Sequence, residues 1–231
     1  MPMKYVFQFG IVWDNLPRLV DGAWLTLRLS VTAFLLGFAL AVVLAFLRNA
    51  GPRPVRTLVV AYVELVRNTP FLVQLFVIYF SLPAIGIRME ATTAAIVGMS
   101  LNFAGYATEI LRSGIEAVPR PQIEAGQSLG WTRLQIFRHV IVFQALRTVY
   151  PALASQFVLL MLGSSIVAAI SAEELTAITN TLQSTTFRAF EFYFVATGIY
   201  LAMALASRGV LRAVYWLVFE RGQPVRGAWA R

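Results

Sequence analysis

The chain has 231 residues, 58% of them hydrophobic and 13% charged, whereas soluble domains carry roughly 45–50% and about 25%; composition argues against a soluble domain. The net charge of +8 comes from basic residues scattered between long apolar runs, which cannot form the continuous face that nucleic-acid binding needs. With no cysteine and one histidine, His139, the chain lacks the means for a disulfide scaffold, a thiol nucleophile, or a Cys- or His-based metal cluster.

Residues 11–27 read as an amphipathic helix lying in the outer interface. Trp13, Leu16, Val20, Trp24 and Leu27 recur at spacings of three and four, while Asp14, Arg18 and Asp21 take another face. A frayed start to the first span is the other reading. The same charges interrupt any signal-peptide core, and no small-residue cleavage site precedes the first apolar run.

Uncharged stretches then follow at 29–47, 68–87, 91–108, 148–172 and 192–207, of 19, 20, 18, 25 and 16 residues. About 20 apolar residues cross roughly 30 Å of hydrocarbon, so each is a transmembrane candidate. The fifth gains length because Glu191 and Arg208 can snorkel to opposite interfaces. The expectation is an all-α integral membrane protein forming one domain over 1–231, with five spans at about 28–48, 58–83, 91–112, 144–170 and 190–218.

Orientation follows from the basic residues, because Lys and Arg are retained in the cytoplasm. Arg48, Arg53, Arg56 and Arg67 follow span one; Arg112, Arg120, Arg133, Arg138 and Arg147 separate spans three and four; Arg208, Arg212, Arg221, Arg226 and Arg231 follow span five. That puts fourteen of the 19 basic residues on one side, with Lys4, Arg18, Arg28, Arg88 and Arg188 on the other. The N-terminus is expected outside and the C-terminus inside.

Span two is interrupted at Arg67-Asn68-Thr69-Pro70. Proline suits a helix's first turn and pushes its predecessor out of helical geometry, and Asn68 or Thr69 can cap the new start. Such a half-helix can aim its N–H groups at an anionic substrate group; a kink at the inner interface, with Arg67 reaching water, accounts for the same residues. Between spans three and four, Pro121 opens a short helix on which Ile123, Gly126 and Leu129 share one face, and Gly130 stops it. Ala125 and Gly126 remove bulk, Glu124 adds a charge, and Thr132-Arg133-Leu134-Gln135 reads as a capping box for the next helix. Residues 119–138 therefore suggest a cytoplasmic docking surface, with a packed loop as the bland reading.

Polar residues at mid-depth are costly unless they face protein or a cavity. Gln74, Asn102, Gln156 and Tyr200 fall there, where they either line a path or bond helices together at about 0.6–2 kcal/mol each. Glu109 and Arg112 are spaced to pair on one helix face. Glu173, Glu174 and Glu191 are expected near the outer surface, solvated or meeting a solute receptor. His139 reads as merely polar, and Ser164-Ser165 has no base nearby in sequence, so no nucleophile is assigned.

These residues carry a specific resemblance. Glu124-Ala125-Gly126-x3-Gly130 resembles the Glu-Ala-Ala-x3-Gly loop of bacterial ABC importer permeases. Val66–Leu75, Ala104–Ile115, Gln144-Ala145-Leu146-Arg147 and Glu174-Leu175-Thr176 are similar to the polar amino acid permeases of the histidine and glutamine type, and the likeness runs from about Leu16 to Glu220. Gly126 replaces a second Ala, Val142-Phe143 replaces Leu-Pro, and Leu162-Gly163-Ser164-Ser165 lacks the Lys and acidic residue common there.

The resemblance implies a multi-pass permease of the bacterial inner membrane, without enzymatic chemistry or a cofactor of its own. It implies ATP and Mg on two partner ATPase subunits, a second permease copy or similar permease, and an external solute-binding protein. The substrate path is then expected among Asn68, Thr69, Gln74, Asn102, Tyr106, Gln156 and Tyr200, and ATPase coupling at Glu124, Ala125, Gly126, Leu129 and Gly130. A self-sufficient secondary transporter or channel is the rival, which five spans without internal symmetry make less comfortable.

Overall fold

A computed structural model describes residues 5–221; Lys4, Arg226 and Arg231 of the charge count, and the ends of the expected 1–231 domain, lie outside the described residues. Within them every regular element is helical. Short α1 (Gly10–Asp14) leads into α2 (Leu16–Ala50), a helix of 35 residues with proline in its first turn. The residues expected as an interfacial helix over 11–27 divide between α1 and the start of α2, and Leu16 to Ala50 is one continuous element. Leu19, Gly22, Ala23 and Thr26 are buried, and a Cβ on Gly22 would lie 3.0 Å from the Leu175 Cα. The apolar stripe of the pattern lies on another side: Trp13, Val20 and Trp24 are 59%, 53% and 62% exposed, while the small-residue side meets α9.

After Gly51 and Pro52 the chain reverses into α3 (Arg53–Arg67). The interruption at Asn68–Pro70 then bends it by 109° into α4 (Phe71–Phe76), which continues through a π turn (Val77–Ser81) and a 3-10 turn (Leu82–Ile85). Span two is therefore two helices at a sharp angle. Next come α5 (Ala91–Glu116), α6 (Arg120–Ser128) and α7 (Arg133–Ile136), then a π turn leading into α8 (Val142–Gly163) and a 3-10 turn over Ser164–Ile170. The chain ends in α9 (Leu175–Thr186) and α10 (Ala189–Tyr215), extended by a π turn to Glu220. Four of these helical runs are long and apolar enough to cross a membrane, and five if the bent α3–α4 pair counts as one span.

The centre of the bundle is α5, which packs against α2, α3, α4 and α8. Its partner α2 offers Ala33, Gly37, Ala41 and Ala45, all buried and four residues apart. That stripe lets the backbones close: a Cβ on Gly37 would fall 2.6 Å from the Ser100 carbonyl oxygen. Where lipid removes the hydrophobic drive between helices, such small-residue contact supplies the van der Waals packing. One core gathers round α5 with Leu29, Met99 and Phe103; a second joins α2, α8, α9 and α10 through Leu19, Phe157, Met161, Leu175 and Phe192. Leu35, Leu36, Val43 and Phe46 of α2 and Leu201, Leu205 and Val210 of α10 point outward, the arrangement of helices that meet lipid.

Candidate functional site

The Asn68–Pro70 break is a polar assembly built by its own side chains. Asn68 Nδ2 donates to the Glu64 carbonyl and to Glu64 Oε2, each at 2.8 Å, and Thr69 Oγ1 donates to the Leu65 carbonyl at 2.7 Å. Neither caps α4. Both close the end of α3 instead, which corrects the expected capping role. The Gln74 amide, one turn into α4, shares its N–H groups among the Val66 carbonyl (2.8 Å), the Thr69 carbonyl (3.1 Å) and Thr69 Oγ1 (2.8 Å). Carbonyls freed where a helix stops must find donors when water is excluded, and Gln74 supplies them.

From α5, Asn102 Nδ2 donates to Gln74 Oε1 at 3.0 Å. Asn102 then faces a cavity of about 270 Å³ lined also by Phe71, Tyr106, Gln156, Leu159, Leu160, Gly163 and Ile166. Three of the seven expected path residues, Asn102, Tyr106 and Gln156, therefore share one space. Gln74 joins them through Asn102, and Thr69 through Gln74. Asn68 turns back to Glu64, and Tyr200 belongs to a different cluster. Among the described residues Gln156 makes no hydrogen bond, and Asn102 keeps its carbonyl oxygen uncommitted. The lining retains donors and acceptors for something that enters.

Sequence reasoning missed one cation. The Arg67 guanidinium carbon sits 6.0 Å from the centre of the Tyr106 ring, within reach of a cation–π contact. Gly105 permits this: a Cβ there would lie 2.6 Å from Val66 Cγ1, and α3 could not approach. The signal was the adjacency of Arg67 to the break, read as an arginine reaching water.

The acidic residues expected at the outer surface are corrected as well. Glu173 is exposed, but Glu174 and Glu191 are fully buried. Glu174 caps α9 by accepting from the Ala177 N–H at 2.9 Å, and also accepts from the Tyr200 hydroxyl at 2.6 Å and Thr26 Oγ1 at 3.4 Å. Thr26 in turn accepts from the Leu175 N–H at 3.2 Å, and the Tyr200 hydroxyl meets Thr176 Oγ1 at 2.8 Å. Glu191 accepts from the Gln8 N–H at 3.0 Å and from the Tyr5 hydroxyl, with Arg188 at 3.6 Å. That carboxylate raises the Tyr5 phenol above its ordinary pKa. At the opposite end of α5, Glu109 pairs with Arg112 as expected and also with Arg48 of α2 at 2.5 Å, while Arg112 pairs onward with Glu116.

The loop over residues 119–138, expected to dock a partner, is closed by local geometry. The α6 helix ends in a Schellman turn: the Trp131 N–H donates to the Gly126 carbonyl at 3.1 Å and the Gly130 N–H to the Gln127 carbonyl at 2.9 Å. Gly130 takes φ +76°, where a side chain would be strained. The Thr132/Gln135 capping box opens α7, and Gln144 Nε2 donates to Gln122 Oε1 at 2.6 Å, tying the loop to α8. Gly126 points inward: its Cβ would lie 3.0 Å from Ile136 Cγ1 and 3.7 Å from the Trp131 ring. The outward face consists of Glu124 and Ala125 with Leu129 and Leu134, which are 72% and 75% exposed. Gly126 and Leu129, expected on one face, are divided between inside and outside.

A family model described as "Binding-protein-dependent transport system inner membrane component" matches residues 33–215. A probable glutamine ABC transporter permease protein of Bacillus subtilis is 34% identical over 196 residues, 85% of this chain and 91% of the relative. A nopaline transport system permease protein of Agrobacterium fabrum is 32% identical over 218 residues, 90% of each. A crystal structure of an amino acid ABC transporter with histidines superposes with a TM-score of 0.86 at 33% identity, covering 91% of this chain and 99% of that one. A long-helix bundle with a broken second span and a capped loop before α8, matched along most of its length, therefore belongs to the family of binding-protein-dependent transport system inner membrane components, as a permease component of an ABC importer.

Proposed function

We propose that this chain carries a polar amino acid across the bacterial inner membrane through the space lined by Asn102, Tyr106 and Gln156. The observation that carries the reading is the convergence of these side chains from α5 and α8 on one cavity beside the α3–α4 break. At about 270 Å³ it lies just below the roughly 300 Å³ at which pockets for drug-sized ligands begin, and so suits a small solute. An amino acid brings a carboxylate and an ammonium group. The amides of Asn102 and Gln156 offer both donors and acceptors, and Arg67 beside Tyr106 adds a positive charge for the carboxylate.

In this reading the chain binds no cofactor, and hydrolysis of ATP with Mg resides in two ATPase subunits docked on residues 119–138. A second permease copy or similar permease completes the path, and an external solute-binding protein delivers the cargo. The five spans run from an outer N-terminus to a cytoplasmic C-terminus. The coupling contact rests on Glu124, Ala125 and Leu129, with Gly126 and Gly130 shaping the loop behind them.

The test is uptake by proteoliposomes holding the permease, its ATPase and its solute-binding protein, comparing wild type with Asn102→Leu and Gln156→Leu. Uptake should require ATP, and each variant should lose about tenfold in transport or change its amino-acid preference, since an unpaired polar group costs about 1–3 kcal/mol. Normal rates and selectivity in both would reduce these residues to helix packing, and uptake without ATP would favour a secondary transporter.

A further inference from the structure

A second cavity, also about 270 Å³, lies between α8 and α10 and is lined in part by Tyr150, Ser155, Arg208, Leu211, Arg212 and Tyr215. Its floor is fixed: the Tyr150 hydroxyl donates to the Leu211 carbonyl at 2.8 Å, and the Tyr150 and Tyr215 rings lie 5.4 Å apart. Arg208 and Arg212 stand one turn apart on the same face of α10, both exposed, and among the described residues neither makes an ion pair or a hydrogen bond. Two guanidinium groups without a partner among the described residues, set beside an apolar cleft, suit an anion that also carries an apolar part.

Depth identifies that partner. Arg208 lies 19 residues after Ala189, where α10 begins, a rise of about 29 Å that matches the hydrocarbon thickness. If the helix enters at one interface, Arg208 and Arg212 emerge at the headgroup level of the other, with Tyr150 and Tyr215 in the zone that tyrosine favours. We infer that the α8–α10 cleft binds an anionic phospholipid, its phosphate held between the Arg208 and Arg212 forks and an acyl chain lying against Tyr150 and Leu211. Planar guanidinium groups match phosphate oxygens two at a time, and the neutral floor has no carboxylate to compete. Placing the lipid in the cytoplasmic leaflet rests on the orientation proposed above; the binding chemistry does not.

The test uses the permease–ATPase complex in neutral detergent, following the thermal midpoint while phosphatidylglycerol, phosphatidylcholine or glycerol phosphate is added. Phosphatidylglycerol should raise the midpoint of wild type, whereas the zwitterionic lipid and the chainless phosphate should not. In Arg208→Gln/Arg212→Gln the half-saturating lipid concentration should rise about 25-fold, the product of two basic side chains each contributing about fivefold near an anionic surface. Arg208→Lys/Arg212→Lys keeps the charge but loses the fork, and should keep only part of the response, falling between wild type and the glutamine variant. An unchanged response in the glutamine variant overturns the proposal, as does an equal response to phosphatidylcholine, which would signal chain packing alone. Equal stabilisation by glycerol phosphate would make the site one for a soluble phosphate, and cross-linking of Ser155→Cys between two permease copies would show the cleft covered by protein; either result also overturns it.

Discussion

Two polar clusters in this bundle use the same kinds of residue to opposite ends. Round Glu174, a carboxylate, two threonine hydroxyls, a tyrosine and two backbone N–H groups satisfy one another and tie α2, α9 and α10 together. Round Asn102, the Gln74 side chain is spent on the broken α3, but Gln156 and the Asn102 carbonyl remain open to a cavity. The difference teaches that polarity inside a membrane helix is ambiguous until its hydrogen bonds are counted. A saturated cluster holds helices; an unsaturated one facing space can bind.

The largest effect that would sharpen this contrast is expected at Glu174. Glu174→Leu removes the cap of α9, leaves the Ala177 N–H without its acceptor and takes one of two partners from the Tyr200 hydroxyl, for a loss of about 3 kcal/mol. The check is the yield of monodisperse complex and its denaturation midpoint. Wild-type stability in that variant would break the comparison.

The second contrast lies within the docking loop, between the residue that faces out and the residue that faces in. Ala125→Arg should leave the loop folded yet cost tenfold or more in ATP-driven uptake, with ATPase lost on co-purification. Gly126→Ala, whose Cβ must move Ile136 by a few tenths of an ångström, should destabilise by about 1 kcal/mol while keeping the ATPase bound. Reversal of the two outcomes would return the docking contact to Gly126.

A smaller change is expected at Tyr200. Tyr200→Phe removes one donor from the closed cluster, so stability should drop by about 1 kcal/mol while amino-acid preference stays fixed. A changed preference would move Tyr200 back into the substrate path, where its mid-span position first suggested it. The orientation has its own check in single-cysteine labelling, which the absence of native cysteine simplifies: Gln127→Cys should react only from the cytoplasmic side and Thr185→Cys only from outside.

Much of the fold was legible because membrane helices advertise themselves by length and apolarity, and because Pro70, Gly130 and the Thr132–Gln135 pair act through near neighbours. The capping box and the end of α6 needed no tertiary knowledge. What stayed hidden depended on distant partners. Glu174 looked like a surface acid because Thr26 and Tyr200, which absorb it, stand far away in the chain. Asp14, Arg18 and Asp21 set residues 11–27 apart from the first span, and the sequence does not reveal that Gly22 and Thr26 meet Leu175 of α9, far away in the chain, on a helix that runs unbroken from Leu16 to Ala50. Gly126 looked like the flat part of a docking surface since the sequence does not reveal that the Schellman turn folds Ile136 onto it. The path residues were only partly separable, because Gln156 and Tyr200 look alike until one faces a cavity and the other a carboxylate.

The α2 helix is anchored at both ends by polar contacts, to Glu174 through Thr26 and to Glu109 through Arg48. These residues are 22 positions apart, a rise of about 33 Å, and neither anchor can slide along the bundle without breaking its bonds. The length of bundle between the anchors is therefore set by the protein, and lipids whose hydrocarbon is thinner or thicker than that length are expected to deform around it or tilt it. Uptake measured at fixed substrate and nucleotide in membranes of graded acyl-chain length should therefore pass through an optimum.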